Sequence, residues 1–537
     1  MGEPPVSDVR PEAPGFPSRR LAWSTVVFSG ATGLSRVLGL AREIVARGYF
    51  GVEGAGINAF TVAFQVPNLV RALVADAALS SAFVPVFTEL LEKGERARAW
   101  RVASSLIWIL LLGLTAVTAV FMLAAPWVMS LFGYHGEDGD LAVTLARILF
   151  PIVVLLGISG VIVGILNSYE HFTVPALTPV AWNLVIIAGL VIGVPQAGST
   201  EAELYVYAGS IVLGTVIQLL LPLPWLAGLD GRLRVAIDWR DPAVKRVFVL
   251  MLPVTLGLGL INFNAVIGTF FAARFIDPTL APSAIDAAFR IYMLPQGMFS
   301  VAVATVLFPA LSRLAAREEL DGFRRTLGTG LRQIAFLLVP ASVVTAVLAE
   351  PIVRLVYERG EFGPHETRVV AGALAAFSLG LAFNGAMLML NRAFFGLQSP
   401  WTPTAVALAT LIANTALYGA FYRFGTWGIP LAISVANILG AGALVVLLRQ
   451  RLGHLELTET LDSLVRITGA SVVFGAVAYG AWWALDQALG RAFVAQAVSV
   501  FGAMAAGGAA YLFSARLLGV RELNALLSLR TRGRPPD

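Results

Sequence analysis

The 537 residues include no cysteine, four histidines and two lysines, and charged residues make up 13% of the chain. Without cysteine there is no disulfide, no thiolate nucleophile and no Cys-ligated metal. The two lysines, Lys93 and Lys245, lie outside any GxxxxGK[ST] context, so a nucleotide-hydrolysing motor is missing. His135, His171, His365 and His454 are expected in loops. That placement leaves no basis for an intramembrane HExxH zinc site, a Ser-His dyad or haem held by paired helix histidines. Nor do the acids within apolar segments show a D-x-x-D-like pair to hold Mg²⁺. Neither an enzyme nor a resident cofactor is expected.

Scarcity of charge also excludes a soluble body, since an average globular domain is about a quarter charged. Here hydrophobic residues make up 57% of the chain and its mean hydropathy is +0.79. Apolar runs long enough to cross a bilayer, roughly 20 residues each, recur from end to end. The chain therefore reads as an all-α polytopic membrane protein. Its net charge of +5 is spread over short loops, which argues against a nucleic-acid partner.

Breaking the chain at clusters of charge, Gly and Pro gives fourteen transmembrane helices, centred near residues 33, 72, 114, 154, 184, 215, 258, 298, 340, 379, 410, 436, 473 and 505. Pro67 and Pro85 predict a bent or broken helix over 57–90. With both termini in the cytoplasm, 26 Lys/Arg fall on the cytoplasmic side and six on the other: Arg47, Arg274, Arg354, Arg359, Arg423 and Arg491. This asymmetry supports the count, because one miscounted span would scramble it from that point onward. Residues 1–21 are rich in Pro and charge, lack an apolar h-region and read as a disordered cytosolic lead-in.

The two halves of the chain repeat at a nearly constant offset. Pro85 pairs with Pro309 and Pro126 with Pro351, while Leu166-Asn167 and Thr178-Pro179 return as Leu390-Asn391 and Thr402-Pro403. Two six-helix lobes follow, a first at 22–228 and a second at 229–450 with an amphipathic connector at its start. Helices 13 and 14 occupy 451–518, and 519–537 form a cytosolic tail. Six helices are an even number, so the repeats are parallel and face each other across a central cavity. Duplication with many Gly and Pro inside helices favours a transporter over a static scaffold.

Six arginines fall in or at the edge of apolar segments. Arg147 and Arg368 lie near helix ends, where snorkelling explains them. Arg36, Arg42, Arg71 and Arg290 lie deeper, where an arginine costs roughly 2.5–3.5 kcal/mol to insert. Glu43 and Asp76 are the clear acidic partners in the first two helices, so the cavity is expected to be net positive. The planar guanidinium fork suits phosphate or diphosphate, which makes an anionic substrate the reading, with helix capping or pairing to Glu43 or Asp76 as the alternative. Arg36 and Arg42 are six residues apart, about 120° around an ideal helix. Sharing one cavity requires a bend, for which Gly33 and Gly39 offer a place.

SRVLGLAREIVARGYFG at 35–51, AFTVAFQVPNLVRALVADAALSSAFVPVF at 59–87, RIYMLPQGMFSVAVATVLFPALSR at 290–313 and LNRAFFGLQSPWTP at 390–403 resemble the MurJ/MviN lipid II flippases of the MOP exporter superfamily. The resemblance spans roughly 22–450. It implies a multi-pass protein of the bacterial cytoplasmic (inner) membrane that moves lipid II, the undecaprenyl-diphosphate-linked peptidoglycan precursor, to the outer leaflet. Membrane lipids are its other expected partners, and a monomer is expected. It also implies that Arg36, Arg42, Arg71 and Arg290 bind the diphosphate and that Asp76 resembles a gate or portal residue, with Glu43 and Asn58 joined to it here. The family's frequent acids at the start of helix 2 and before the helix-8 arginine are Asn58 and Phe289 in this chain. Its sodium pair on helix 11 becomes Asn414 with Tyr418, so Asn414 is a candidate cation site without its acid, and the coupling ion stays open beside membrane potential. In the family, helices 13 and 14 border a groove for the lipid tail, although close packing explains the small residues at 501–513 equally well. The alternatives are an exporter of another anionic lipid-linked oligosaccharide, a MATE-like antiporter and a non-transporting cell-wall scaffold.

Overall fold

The computed structural model describes residues 19–74, 77–453, 455 and 457–523. Among them every regular element is helical. The first half comprises α1 (Arg19–Phe50), α2 (Ala55–Val74), α3 (Ala77–Glu92), α4 (Arg96–Leu131), α5 (Gly136–Leu149), α6 (Ile152–Ser168), α7 (Thr173–Ala188), α8 (Thr200–Leu220) and α9 (Leu223–Leu226). The second comprises α10 (Pro242–Phe271), α11 (Ala281–Ala316), α12 (Leu320–Val347), α13 (Ala349–Tyr357), α14 (Pro364–Ser378), α15 (Leu381–Gly396), α16 (Trp401–Phe421) and α17 (Gly428–Leu452). α18 (Leu457–Leu489) and α19 (Phe493–Leu517) follow. Nine helical segments among the described residues are long and apolar enough to cross a membrane, or ten counting α14 and α15 as one bent span. One of the nine, Trp401–Leu452, carries two of the expected centres.

Thirteen of the fourteen centres lie inside a helix, and the segment expected over 57–90 is described as α2 and α3, with residues 75 and 76 outside the described set. The centre near 379 falls instead at a 42° bend between α14 and α15. That break was not foreseen, because its cause is distant in sequence. The Gly380 amide donates to Ser434 Oγ at 3.0 Å, and the same hydroxyl donates to Ala376 O at 2.6 Å. A Cβ at Gly380 would lie 2.6 Å from Ser434 Cα, so only glycine lets α17 approach this closely.

Hydrogen bonds sort the connections onto two ends of the bundle. At the terminal end, where α1 begins, Arg98 pairs with Asp241 at 3.0 Å, Trp100 Nε1 reaches Asp230 at 3.3 Å and Arg246 reaches Glu89 at 2.7 Å. At the far end Gly54 N donates to Thr279 O, and Glu361 N to Gly48 O. Four hydrophobic cores result among the described residues, the smallest gathering Tyr418, Ile429 and Ala432. The first runs from Ala46 to Ala273 and takes in Ala243, Val244, Val247 and Met251, so the start of α10 packs on the first half. The second joins Val52 to residues from Ala284 to Leu452. The third joins Phe336 and Val344 of α12, and Leu348 just after it, to Phe474, Ala503 and Tyr511 of α18 and α19.

Close packing accounts for two of the small residues at 501–513: a Cβ at Gly507 would lie 2.5 Å from Phe474, and one at Gly502 3.0 Å from Leu485. The repeat is visible in helix ends as well. Gly94 and Glu318, matching positions of the two halves, both adopt a left-handed φ, at +76° and +59°. Each closes its helix with the same bond, Glu95 N to Leu90 O and Glu319 N to Leu314 O. Glu170 and Gln398 do likewise at the ends of α6 and α15, with φ of +60° and +53°.

Candidate functional site

α1 is one continuous helix from Arg19 to Phe50, so the 120° separation of Arg36 and Arg42 persists and their surroundings differ. Arg36 is exposed, as are its neighbours Leu34 and Val37. Arg42 is buried against α7. Its Nη2 bonds Glu43 Oε1 at 2.7 Å, its Nη1 bonds Asn183 Oδ1 at 3.3 Å, and its guanidinium lies 4.8 Å from the Trp182 ring centroid. Two of its three nitrogens are engaged, and Nε is buried without a partner among the described residues. Its geometry is that of a residue tying α1 to α7.

Arg290 on α11 keeps a side chain that is 37% exposed. It bonds Asp286 one turn earlier, at 3.4 Å, and lies 3.9 Å from Glu43 of α1. Asp286 also receives Arg47 Nη2 at 3.0 Å, and Arg47 Nη1 donates to Ser283 Oγ at 2.5 Å. The result is an alternating chain, Arg47, Asp286, Arg290, Glu43, Arg42, that passes twice between α1 and α11. Arg47, one of the six basic residues expected on the non-cytoplasmic side, is 4% exposed in the last turn of α1. Asp286 was missed altogether, although its spacing of four from Arg290 on one helix was a readable signal. With it, three guanidinium groups face two carboxylates, so this cluster is far less positive than the four arginines implied.

Helical rise sets the depths. Measured from the far end of its helix, Arg42 lies about 12 Å and Arg290 about 14 Å in, whereas Arg36 lies about 21 Å and Arg71 about 24 Å in. The expected quartet thus divides into two tiers. Arg71 is half-buried on α2, its Nε and Nη2 donating to Asn68 Oδ1 at 3.1 and 2.9 Å. Asp76 lies outside the described residues.

Asn58 closes the far end. Fully buried, it donates to Val52 O, Gly54 O and Thr279 O at 2.8, 2.9 and 2.6 Å and accepts from Ser283 N at 2.8 Å. Asn58 and Ser283, 225 residues apart and so within one residue of the repeat offset, meet across the two halves. An amide fills this place better than an acid, since three acceptors and one donor converge on it. Beside it Glu366, 4% exposed in the first turn of α14, accepts from Val52 N at 2.6 Å and Glu53 N at 2.8 Å. Glu366 was another residue that sequence reasoning missed. The bonds joining the first half to α11–α14 cluster at this far end, which is closed.

Asn414 on α16 is buried, with Oδ1 unpartnered among the described residues. Tyr418 is buried one turn on, and its hydroxyl donates to Asn264 Oδ1 at 3.2 Å. The described residues hold no cluster of three His, Cys, Asp or Glu that could ligate a metal. His365, expected in a loop, stands in the first turn of α14, and His454 lies outside the described residues.

Two helical lobes sealed at one end, with arginines on their apolar helices, define a transporter of the two-lobed, multi-helix membrane class. Comparison with known proteins agrees. An inward-facing multidrug-resistance MATE-family transporter of the MOP superfamily superposes with a TM-score of 0.66 at 17% identity, covering 80% of this chain and 98% of that one. An outward-facing one gives 0.55 at 18% identity, covering 80% and 95%. A structure described as lipid II flippase MurJ in an inward closed conformation gives 0.75 at 24% identity, covering 92% of this chain and 98% of that one. The lipid II flippase MurJ of Burkholderia cenocepacia is 31% identical over 467 residues, 85% of this chain and 89% of its own length. A profile described as Lipid II flippase MurJ matches residues 47–499. The chain belongs to the lipid II flippase MurJ family.

Proposed function

We propose that this protein flips lipid II from the inner to the outer leaflet of the bacterial cytoplasmic membrane by alternating access, as a monomer with both termini in the cytoplasm. The sealed far end is then the outer face, and the structure corresponds to a state closed to the outside. The diphosphate meets Arg36 and Arg71 in the deeper tier and advances to Arg290, while the polyprenyl tail stays in lipid beside α18 and α19. Arg42 orients α1 against α7. Rocking of the lobes, divided as the repeat divides the sequence, re-exposes the headgroup outside.

The observation that carries this reading is that Arg36 is exposed, and Arg290 more than a third exposed, on apolar helices of a chain in this family. Such placement is costly in lipid and useful where an anion passes. A drug antiporter fits less well, because cationic drugs call for carboxylates where these arginines stand. Complementation of a flippase-depleted bacterium tests the reading: Arg36→Ala, Arg71→Ala and Arg290→Ala each lose rescue at normal expression. Full rescue by all three sinks the phosphate site. Because Tyr418 stands where a cation site needs an acid, transport in proteoliposomes is expected to persist when sodium is replaced by potassium and to respond to membrane potential.

A further inference from the structure

Asp286 touches both parts of the machinery. Its Oδ2 accepts from Arg47 Nη2 at 3.0 Å, a bond across the two lobes that lies in the outer seal with Ser283. The same oxygen accepts from Arg290 Nε at 3.4 Å, and its Oδ1 lies 3.4 Å from Arg290 Nη2. Burial separates the partners: the Arg47 side chain is 5% exposed, Asp286 28% and Arg290 37%. The guanidinium open to an arriving anion is therefore tethered by a carboxylate whose other partner is locked inside the seal. At repeat offsets of 224 and 225 the corresponding first-half positions are Val62 and Thr61, neither of them charged.

We infer that Asp286 is the positioning residue that couples occupation of Arg290 by the lipid diphosphate to release of the outer seal. The inference rests on the reading that Arg290 receives the diphosphate. Without substrate, Asp286 and Glu43 share Arg290 and draw α11 onto α1, which favours the closed outer face. The diphosphate competes with both carboxylates for the same guanidinium. Once it wins, the Arg290–Glu43 attraction between lobes is lost, and a dianion stands beside Asp286 and Glu43. The cluster then changes from net positive to net negative at the place where the lobes meet. The repulsion is relieved when α11 leaves α1, which breaks Arg47–Asp286. Occupation of the site thereby becomes a force on the seal, and by linkage the seal weakens lipid II binding by the same factor.

That reciprocity supplies a test that a merely structural residue would fail. Purified protein in nanodiscs is titrated with lipid II, and opening is read from the spin-label distance between Glu137→Cys and Arg423→Cys on the outer face. In the parent, lipid II lengthens this distance. Asp286→Asn keeps the shape and removes the competing charge. It is expected to bind lipid II about tenfold more tightly, a usual size for coupling between sites. Its outer distance is expected to be long already without lipid II and to change little on adding it. Asp286→Glu restores the parental affinity and the lipid II dependence. Unchanged or weaker binding by Asp286→Asn, or a distance still governed by lipid II, overturns the inference. Arg290→Ala separates the two levels of argument: if it binds lipid II as tightly as the parent, the phosphate site itself is wrong, whatever Asp286 does.

Discussion

Removing the Glu366 side chain is expected to open the outer face. Its carboxylate accepts three backbone amides, Val52 N at 2.6 Å, Glu53 N at 2.8 Å and Gly363 N at 2.6 Å. Only the third lies within its own half. Hydrogen bonds to a charged group contribute about 1.5–3 kcal/mol each, so the two that cross between lobes stabilise closure by about 3–6 kcal/mol. Water reaching the orphaned amides in Glu366→Ala brings the loss toward the lower figure, still about a hundredfold change in the ratio of closed to open states. Glu366→Gln, which keeps one neutral acceptor, is expected to fall between. The turn it holds is equally tight. Gly51 has a φ of +60°, and a Cβ there would lie 2.5 Å from Glu366 Oε1 and 3.1 Å from Glu361 O. Gly51→Ala should therefore reproduce the phenotype by pushing on the carboxylate instead of removing it. The absence of cysteine makes the protein its own background for the assay, with labels at Glu137→Cys and Arg423→Cys and distances read by electron spin resonance. An unchanged distance distribution for Glu366→Ala in properly folded protein refutes the assignment of this carboxylate as a latch.

The two arginines of α1 should separate by assay. Arg42→Ala leaves Glu43 buried without its 2.7 Å partner and is expected to cost about 3–5 kcal/mol in thermal stability, whereas Arg36→Ala leaves the melting temperature unchanged and abolishes lipid II transport. Glu170→Gly, Glu318→Gly and Gln398→Gly relieve left-handed backbone at three helix ends and should each raise stability by about 0.5–1 kcal/mol, visible as higher melting temperatures, while Gly94→Ala lowers it. The 229–241 connector is fastened to α4 by Asp241, whose carboxyl the hydrogen bonds from Arg98 hold below the usual aspartate range, and by Asp230, held down chiefly by the Tyr169 hydroxyl. Because folding depresses both values, this stabilisation is complete above the unfolded aspartate range and is lost as pH falls through the folded values. Limited proteolysis at the connector should stay constant from neutral pH down to about pH 4 and accelerate below it.

What the sequence revealed and what it hid divide along a physical line. Apolar length and the cost of inserting charge are local properties, so the helices and the presence of arginines within them could be read directly. Which way a buried charge points is not local. Arg42 carries the same insertion cost as Arg36, yet Trp182 and Asn183, more than 130 residues away, decide that it is a tie between helices. Glu366 looks like an ordinary acid in a helix's first turn until the fold brings Val52 N to it. Asn58 and Ser283, 225 residues apart, lie within one residue of the repeat offset, yet only the fold shows that they touch.

The duplicated scaffold carries charges that are not duplicated. Carried over by the repeat offset of 224, Arg36, Arg42, Glu43 and Arg71 fall on Leu260, Val266, Ile267 and Pro295, and Arg290 and Asp286 fall back on Val66 and Val62. Near-symmetry brings Asn58 and Ser283, 225 residues apart, together in the seal, and asymmetry supplies the response to cargo. A seal built from equivalent turns can break without favouring either lobe. A charge network with Arg47 and Glu43 on one lobe and Asp286 and Arg290 on the other ties that breakage to an anion arriving between them.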